Sequence, residues 1–127
     1  MRPLPLKLAP GSDLRLSLED LARREGIQGF VLSVVGNLTR AAFQCPGQSE
    51  PTVLEGDLEV ITLNGTLSPE GVHLHLSLSD GACQVWGGHL EPVGVATRAN
   101  RPWAHLPDHL GLAIFFGAGK RGHGGPG

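Results

Sequence analysis

The sequence predicts an α+β domain, an antiparallel sheet of about five to seven strands packed with one main helix. Three observations lead there. The stretch SLEDLARREG carries the start, period and stop of a helix. Elsewhere, apolar and β-branched runs alternate with short turns rich in glycine and proline, of which the chain holds 19 and 10, the pattern of hairpin-linked strands. Finally, 127 residues that are 40% hydrophobic and 17% charged fit one domain with one core.

Taken in order, residues 4–8 alternate weakly and predict a first strand, turned by APGSD. Ser17 is the expected N-cap of the helix, Glu19 and Asp20 lie in its first turn, and Gly26 stops it. Leu18, Leu21 and Ala22 recur at helical spacing, with Arg23 and Arg24 near the end. GFVLSVVGNL, residues 29–38, reads as one buried strand. CPGQSEPT is a loop, and residues 54–67 form a second long strand region. Asn64-Gly65 resembles a hairpin turn, but Ser68-Pro69-Glu70-Gly71 is the stronger one, so Gly65 is expected inside a strand, as at a bulge. A strand over 72–78, a turn at Asp80-Gly81 and a return strand over 84–91 follow. After Val95 the period is lost until LGLAIFF, an apolar run read as a last strand or a docking segment. A single domain over residues 1–116 and a flexible tail over 117–127 are expected.

Composition excludes several functions. The net charge is −2 with His neutral, and Lys and Arg are sparse and scattered, which argues against strong DNA binding by one copy. The N-terminus is too short and proline-broken for a signal peptide or a membrane span, so no membrane is expected and the cytoplasm is the default location. Cys45 and Cys83 form no metal motif.

The chemistry concentrates in GVHLHLSLSDG and WGGHL. In a strand, His73, His75, Ser77 and Ser79 share one face, while Val72, Leu74, Leu76 and Leu78 face the core. His73 and His75 then lie about 6.6 Å apart along the strand, within reach of one ion held at about 2.0–2.1 Å per nitrogen. His89 joins them only with the right hairpin parity. A two-residue turn at Asp80-Gly81 sends it to the core side. A three-residue loop over 80–82 pairs His73 with His89, and a bulge at Gly87-Gly88 also restores the parity. Three imidazoles leave one tetrahedral position open, the pattern of a catalytic zinc site, and nickel, iron or cobalt suit the same donors. A solvated strand face produces the same pattern without any metal.

Other candidates are weaker. Glu55, Asp57 and Glu59 alternate and are able to face the histidines as acid–base groups or to form a solvated face. Trp86 and Trp103 are packing residues. His105 and His109 have helical ligand spacing, broken by Pro107, and His123 falls in the tail.

VVGNLTRAAF, LEGDLEVITLNGTLS, GVHLHLSLSDG and VWGGHL, in that order, resemble the plants-and-prokaryotes-conserved (PPC, DUF296) domain, over roughly residues 4–95. The resemblance implies a compact α+β domain that assembles as a homotrimer, with three histidines matching His73, His75 and His89. It also implies a DNA-binding label, inherited from plant members that carry AT-hooks, and KRGHGGPG lacks the Arg-Gly-Arg-Pro core of that hook. The fold is similar to that of zinc-dependent acetolactate decarboxylase, a distant kinship. From about residue 96 the chain departs from the family pattern. Two functions follow as expectations: a trimeric interaction or regulatory module with a three-histidine site for zinc or another divalent transition metal, and a metal-dependent enzyme on a small carbonyl compound, for which Glu59 or Arg98 would have to reach the metal. Whether the chain is an enzyme stays open, and a protein partner belongs to the first reading.

Overall fold

The structure is a computed structural model that describes residues 2–91 and 111–116. Its elements run β1 (Pro3–Lys7), α1 (Leu14–Glu25), β2 (Gly29–Val35), β3 (Asn37–Gln44), β4 (Thr52–Ser68), β5 (Gly71–Ser79), β6 (Val85–Leu90) and β7 (Gly111–Phe116). This is the expected α+β class, an antiparallel sheet with one helix. The apolar run LGLAIFF supplies β7, which pairs with both β1 and β2. The expected tail over 117–127, Arg98, Trp103, His105, His109 and His123 lie outside the described residues.

The helix begins earlier than its expected N-cap, Ser17. Asp13 caps it instead, its carboxylate accepting from the Leu16 N–H at 2.8 Å. The stronger signal was an aspartate followed by an unbroken apolar period. Leu14, Leu18, Leu21 and Ala22 are all buried, so the buried stripe extends one turn further back than the period read from Leu18. Glu19 and Asp20 therefore lie past the first turn, where they pair with Arg15 and Arg24 at i,i+4 spacing. Gly26 closes the helix in the left-handed conformation, as expected.

Two strand expectations need correction. Residues 29–38 do not form one strand. The chain breaks at Gly36, whose carbonyl accepts from the Val60 N–H at 3.0 Å, and β2 and β3 lie on opposite sides of β4. Nor is β2 buried throughout: Val31 joins the core and Val34 packs against it, but Phe30, Leu32 and Val35 are exposed by 37%, 52% and 68%. A continuous apolar run does not distinguish burial on two faces from burial on one.

The sheet order is β1-β7-β2-β4-β3-β6-β5, with a further β4–β5 pairing. That pairing closes β3, β4, β5 and β6 into a ring. The length of β4 makes closure feasible. Residues 52–59 pair with β3 and residues 59–68 with β5, with a register irregularity between Val60 and Thr62 at the crossover. Inside, Leu38, Phe43, Leu58, Leu74, Leu78 and Leu90 are almost wholly buried beside Leu14 and Leu18 of the helix.

Gly65 sits within β4 without a bulge, directly opposite Leu74. Its φ is +146°, and a Cβ there would lie 1.9 Å from the His73 carbonyl oxygen. The glycine is needed because β4 and β5 approach so closely beside the first histidine.

Candidate metal centre

On β5 the alternation holds. Val72, Leu74, Leu76 and Leu78 are buried, and His73 and His75 are exposed on the opposite face. The turn that returns the chain decides where His89 goes. It is neither the two-residue nor the three-residue turn that Asp80-Gly81 suggests. Ser79 pairs with Val85, leaving residues 80–84 as the loop, and His75 pairs with His89. An odd loop keeps the parity that a three-residue loop would have had, so His89 arrives on the histidine face, opposite His75 instead of His73. The register runs without a shift through Gly87 and Gly88, so no bulge contributes.

Asp80 organises this loop. Its Oδ1 accepts from the N–H groups of Ala82 and Gln84, both at 2.9 Å, and its Oδ2 accepts from Trp86 Nε1 at 3.0 Å. The Trp86 indole first, then the Gln84 and Ala82 amides, hold the carboxyl below the usual aspartate range, against a weaker opposing effect of desolvation. Backbone bonds from Asp80 N–H to Gln84 and from Cys83 N–H to Asp80, each 3.0 Å, complete the turn, and Cys83 takes a positive φ of 61°. Trp86 thus packs against the core, as expected, and also braces the turn.

The three imidazoles converge. Ring centroids lie 5.0 Å apart for His73–His75, 4.9 Å for His73–His89 and 5.5 Å for His75–His89. One nitrogen from each lies within 4.8 Å of the others. Tetrahedral bonds of about 2.0–2.1 Å require nitrogens about 3.4 Å apart, a difference that modest side-chain rotations remove. The donor set fits a borderline-soft divalent ion, with three nitrogen ligands and an open side toward solvent.

Residues 52–59, which carry Glu55 and Asp57, pair with β3, away from the histidines. Glu55 forms an ion pair with Arg40 at 3.2 Å. Glu59 lies opposite Ser79, four residues along β5 from His75, or about 13 Å. None of the three joins the histidine group. The β4 residues that do oppose the site are Asn64, across from His75, and Thr66, across from His73. Their place follows from the turn at Ser68-Pro69-Glu70-Gly71: Ser68 pairs with Gly71, the register then runs unbroken to Thr62 and Ser77, and the shift at Val60–Thr62 lies beyond the site.

Two further features escape the sequence. Glu91 Oε2 lies 3.6 Å from His89 Nδ1. A cavity of about 470 Å³ opens beside the site, lined by residues 44–48, His75, Gly88 and His89. Both cysteines are free thiols, with Cys45 half-buried at this cavity and Cys83 exposed.

Comparison with known proteins adds context. The family model of the Plants and Prokaryotes Conserved (PCC) domain matches residues 1–100. A stretch of 93 residues, 72% of this chain, is 47% identical to a segment that makes up 15% of the bifunctional protein GlmU of Synechococcus sp. strain JA-3-3Ab. Among solved structures, a hypothetical protein from Salmonella enterica aligns over 89% of this chain and 75% of its own, with 32% identity and a TM-score of 0.76. A protein from Bacteroides thetaiotaomicron, provisionally described as DNA-binding, aligns over 94% of this chain and 80% of its own, with 15% identity and a TM-score of 0.71. A metal-containing protein from Archaeoglobus fulgidus aligns over 94% and 82%, with 21% identity and a TM-score of 0.64. The last two share the fold alone.

Proposed function

This chain belongs to the Plants and Prokaryotes Conserved (PCC) domain family, and on that premise we propose that it is a homotrimeric interaction or regulatory module holding a divalent transition metal, zinc foremost, through His73, His75 and His89. The observation that carries the reading is the convergence of the three imidazoles on one face of the β5–β6 hairpin. The metal-containing neighbour from Archaeoglobus fulgidus supports it at the level of the fold. The GlmU match supports the module reading, because there the same stretch is a small part of a longer chain. Phe30, Leu32 and Val35, exposed on β2, support self-association, since apolar side chains gathered on one strand are readily covered by another copy. We place its work in the cytoplasm. No helix among the described residues is long and apolar enough to cross a membrane. DNA is a weak partner for this chain: a net charge of −2 offers little for phosphate neutralisation.

A second reading is favoured by the cavity of about 470 Å³ at His75 and His89. A metal with an open position polarises a carbonyl or activates water, and a small carbonyl compound fits that space. The chain's own part would be to bind and orient it, with Gln44 supplying a side-chain carbonyl from the cavity wall while its amide nitrogen donates to the Gln48 carbonyl.

Elemental analysis of purified protein beside a His73→Ala/His75→Ala variant tests the first reading. Near-stoichiometric metal in the wild type and loss in the variant are expected. Equal, near-zero metal in both removes the site. Light scattering tests assembly, and a monomer mass contradicts the trimer.

A further inference from the structure

We infer that Glu91 is a positioning residue for His89: its carboxylate accepts the Nδ1 proton and so directs the Nε2 lone pair toward the metal. The inference rests on the metal reading of the same histidines and adds a residue to it.

The geometry makes the case. Glu91 follows His89 by two residues, and its Oε2 lies 3.6 Å from His89 Nδ1. That is a few tenths of an ångström beyond hydrogen-bond length, within the reach of one side-chain rotation. The carboxylate does not hang in solvent. Its side chain is only 20% exposed, and no other described partner engages it. The backbone on which it stands is fixed from two directions. The Glu91 N–H donates to the Ala42 carbonyl at 3.0 Å, which ties it to β3. One residue earlier, the Leu90 carbonyl accepts from Arg15 Nη1 at 2.7 Å, and Arg15 is itself held by Glu19 at 3.1 Å. The helix and β3 together thus set where this carboxylate sits relative to the ring.

Chemistry supplies the reason for such an arrangement. A neutral imidazole carries one proton on either nitrogen, and the hydrogen bond at one nitrogen decides which is left to ligate. A carboxylate at Nδ1 selects the Nδ1–H tautomer, orients the ring and raises its basicity as a ligand. His73 and His75 show no carboxylate within salt-bridge distance among the described residues, so His89 is the ligand that this device would order.

The test compares wild type with Glu91→Gln, of the same shape, and Glu91→Ala. Zinc affinity, measured by competition with a chromophoric chelator, is expected to fall about 10–100-fold in Glu91→Ala, the range found when such outer partners are removed, and by less in Glu91→Gln. The visible bands of the cobalt-loaded protein should shift in the same order. Melting of the metal-free proteins should stay unchanged, whereas a merely structural role would lower it. Nitrogen-15 NMR of the metal-free wild type, at a pH where the ring is neutral, should show His89 as the Nδ1–H tautomer, lost in Glu91→Ala. Wild-type affinity in Glu91→Ala, or His89 as the Nε2–H tautomer in the wild type, overturns the inference. If the wild type takes up no zinc, the metal reading fails, and the tautomer measurement still decides the Glu91–His89 contact.

Discussion

At Gly65 a single hydrogen in place of a methyl group decides whether the histidine strand fits. With its φ of +146° and a would-be Cβ 1.9 Å from the His73 carbonyl, Gly65→Ala must push β5 away or distort β4. Backbone strain alone should cost about 1–3 kcal/mol, and displacement of His73 should weaken metal uptake as well. Urea unfolding beside a zinc titration checks both, and a variant as stable as the wild type would show that the strands do not approach so closely. Gly88 is a second such position, where a Cβ would meet the Gln44 carbonyl at 2.5 Å. Deep in the core, Leu74→Ala removes a wholly buried side chain on the opposite face of the same strand and should cost about 2–5 kcal/mol, again read by urea unfolding, without removing any ligand.

The β5–β6 hairpin depends on Asp80. Its carboxylate has a folded-state pKa below the ordinary 3.8, through bonds from Trp86, Gln84 and Ala82. The sign follows from linkage: a depressed aspartate stabilises the folded turn above the ordinary value, and that contribution is lost as pH falls through the folded one. Protection of the Ala82 and Gln84 amides against exchange, taken relative to the intrinsic rate at each pH, should therefore fall below about pH 4 in the wild type. In Asp80→Asn that protection should be lower at neutral pH and should lack the acid step. An identical pH profile in both proteins would mean that the carboxylate does not govern the turn. The hairpin also shows what a reader of the sequence is able to see. His73 and His75 on one face follow from strict alternation, and the family-like phrases around them bring in His89. The loop length does not follow, because Asp80-Gly81 resembles a two-residue turn until the side chain of Asp80 is seen capping residues 82 and 84. Asn64 and Thr66, by contrast, were within reach: once Ser68 pairs with Gly71 across the expected turn, the same register brings Thr66 to His73 and Asn64 to His75, and only Glu59, past the shift at Val60–Thr62, depends on a property of two strands together. The helix was legible in its period but not in its start, and β2 in its type but not in its exposure.

At the scale of the whole molecule, the scattered charge and net −2 predict that fluorescence anisotropy with a generic duplex shows no saturable binding at physiological salt. Tight binding that weakens steeply with added salt would reopen the DNA reading. The exposed apolar side chains of β2 bear on assembly, and Leu32→Lys should reduce the mass in solution if that strand is covered by another copy.

The closed ring of β3, β4, β5 and β6 also has a consequence in time. Its β3–β6 pairs, Phe43 with Leu90 and Gln44 with His89, join distant parts of the chain, whereas all three histidines lie between residues 73 and 89 on one hairpin. Contacts near in sequence form before distant ones, whose loop entropy must be overcome first. The hairpin is thus able to gather its imidazoles while the ring is still open. A metal present during folding would then act on the transition state, raising the folding rate more than it slows unfolding. Refolding and unfolding rates measured across denaturant, with and without zinc, would show the gain on the folding arm.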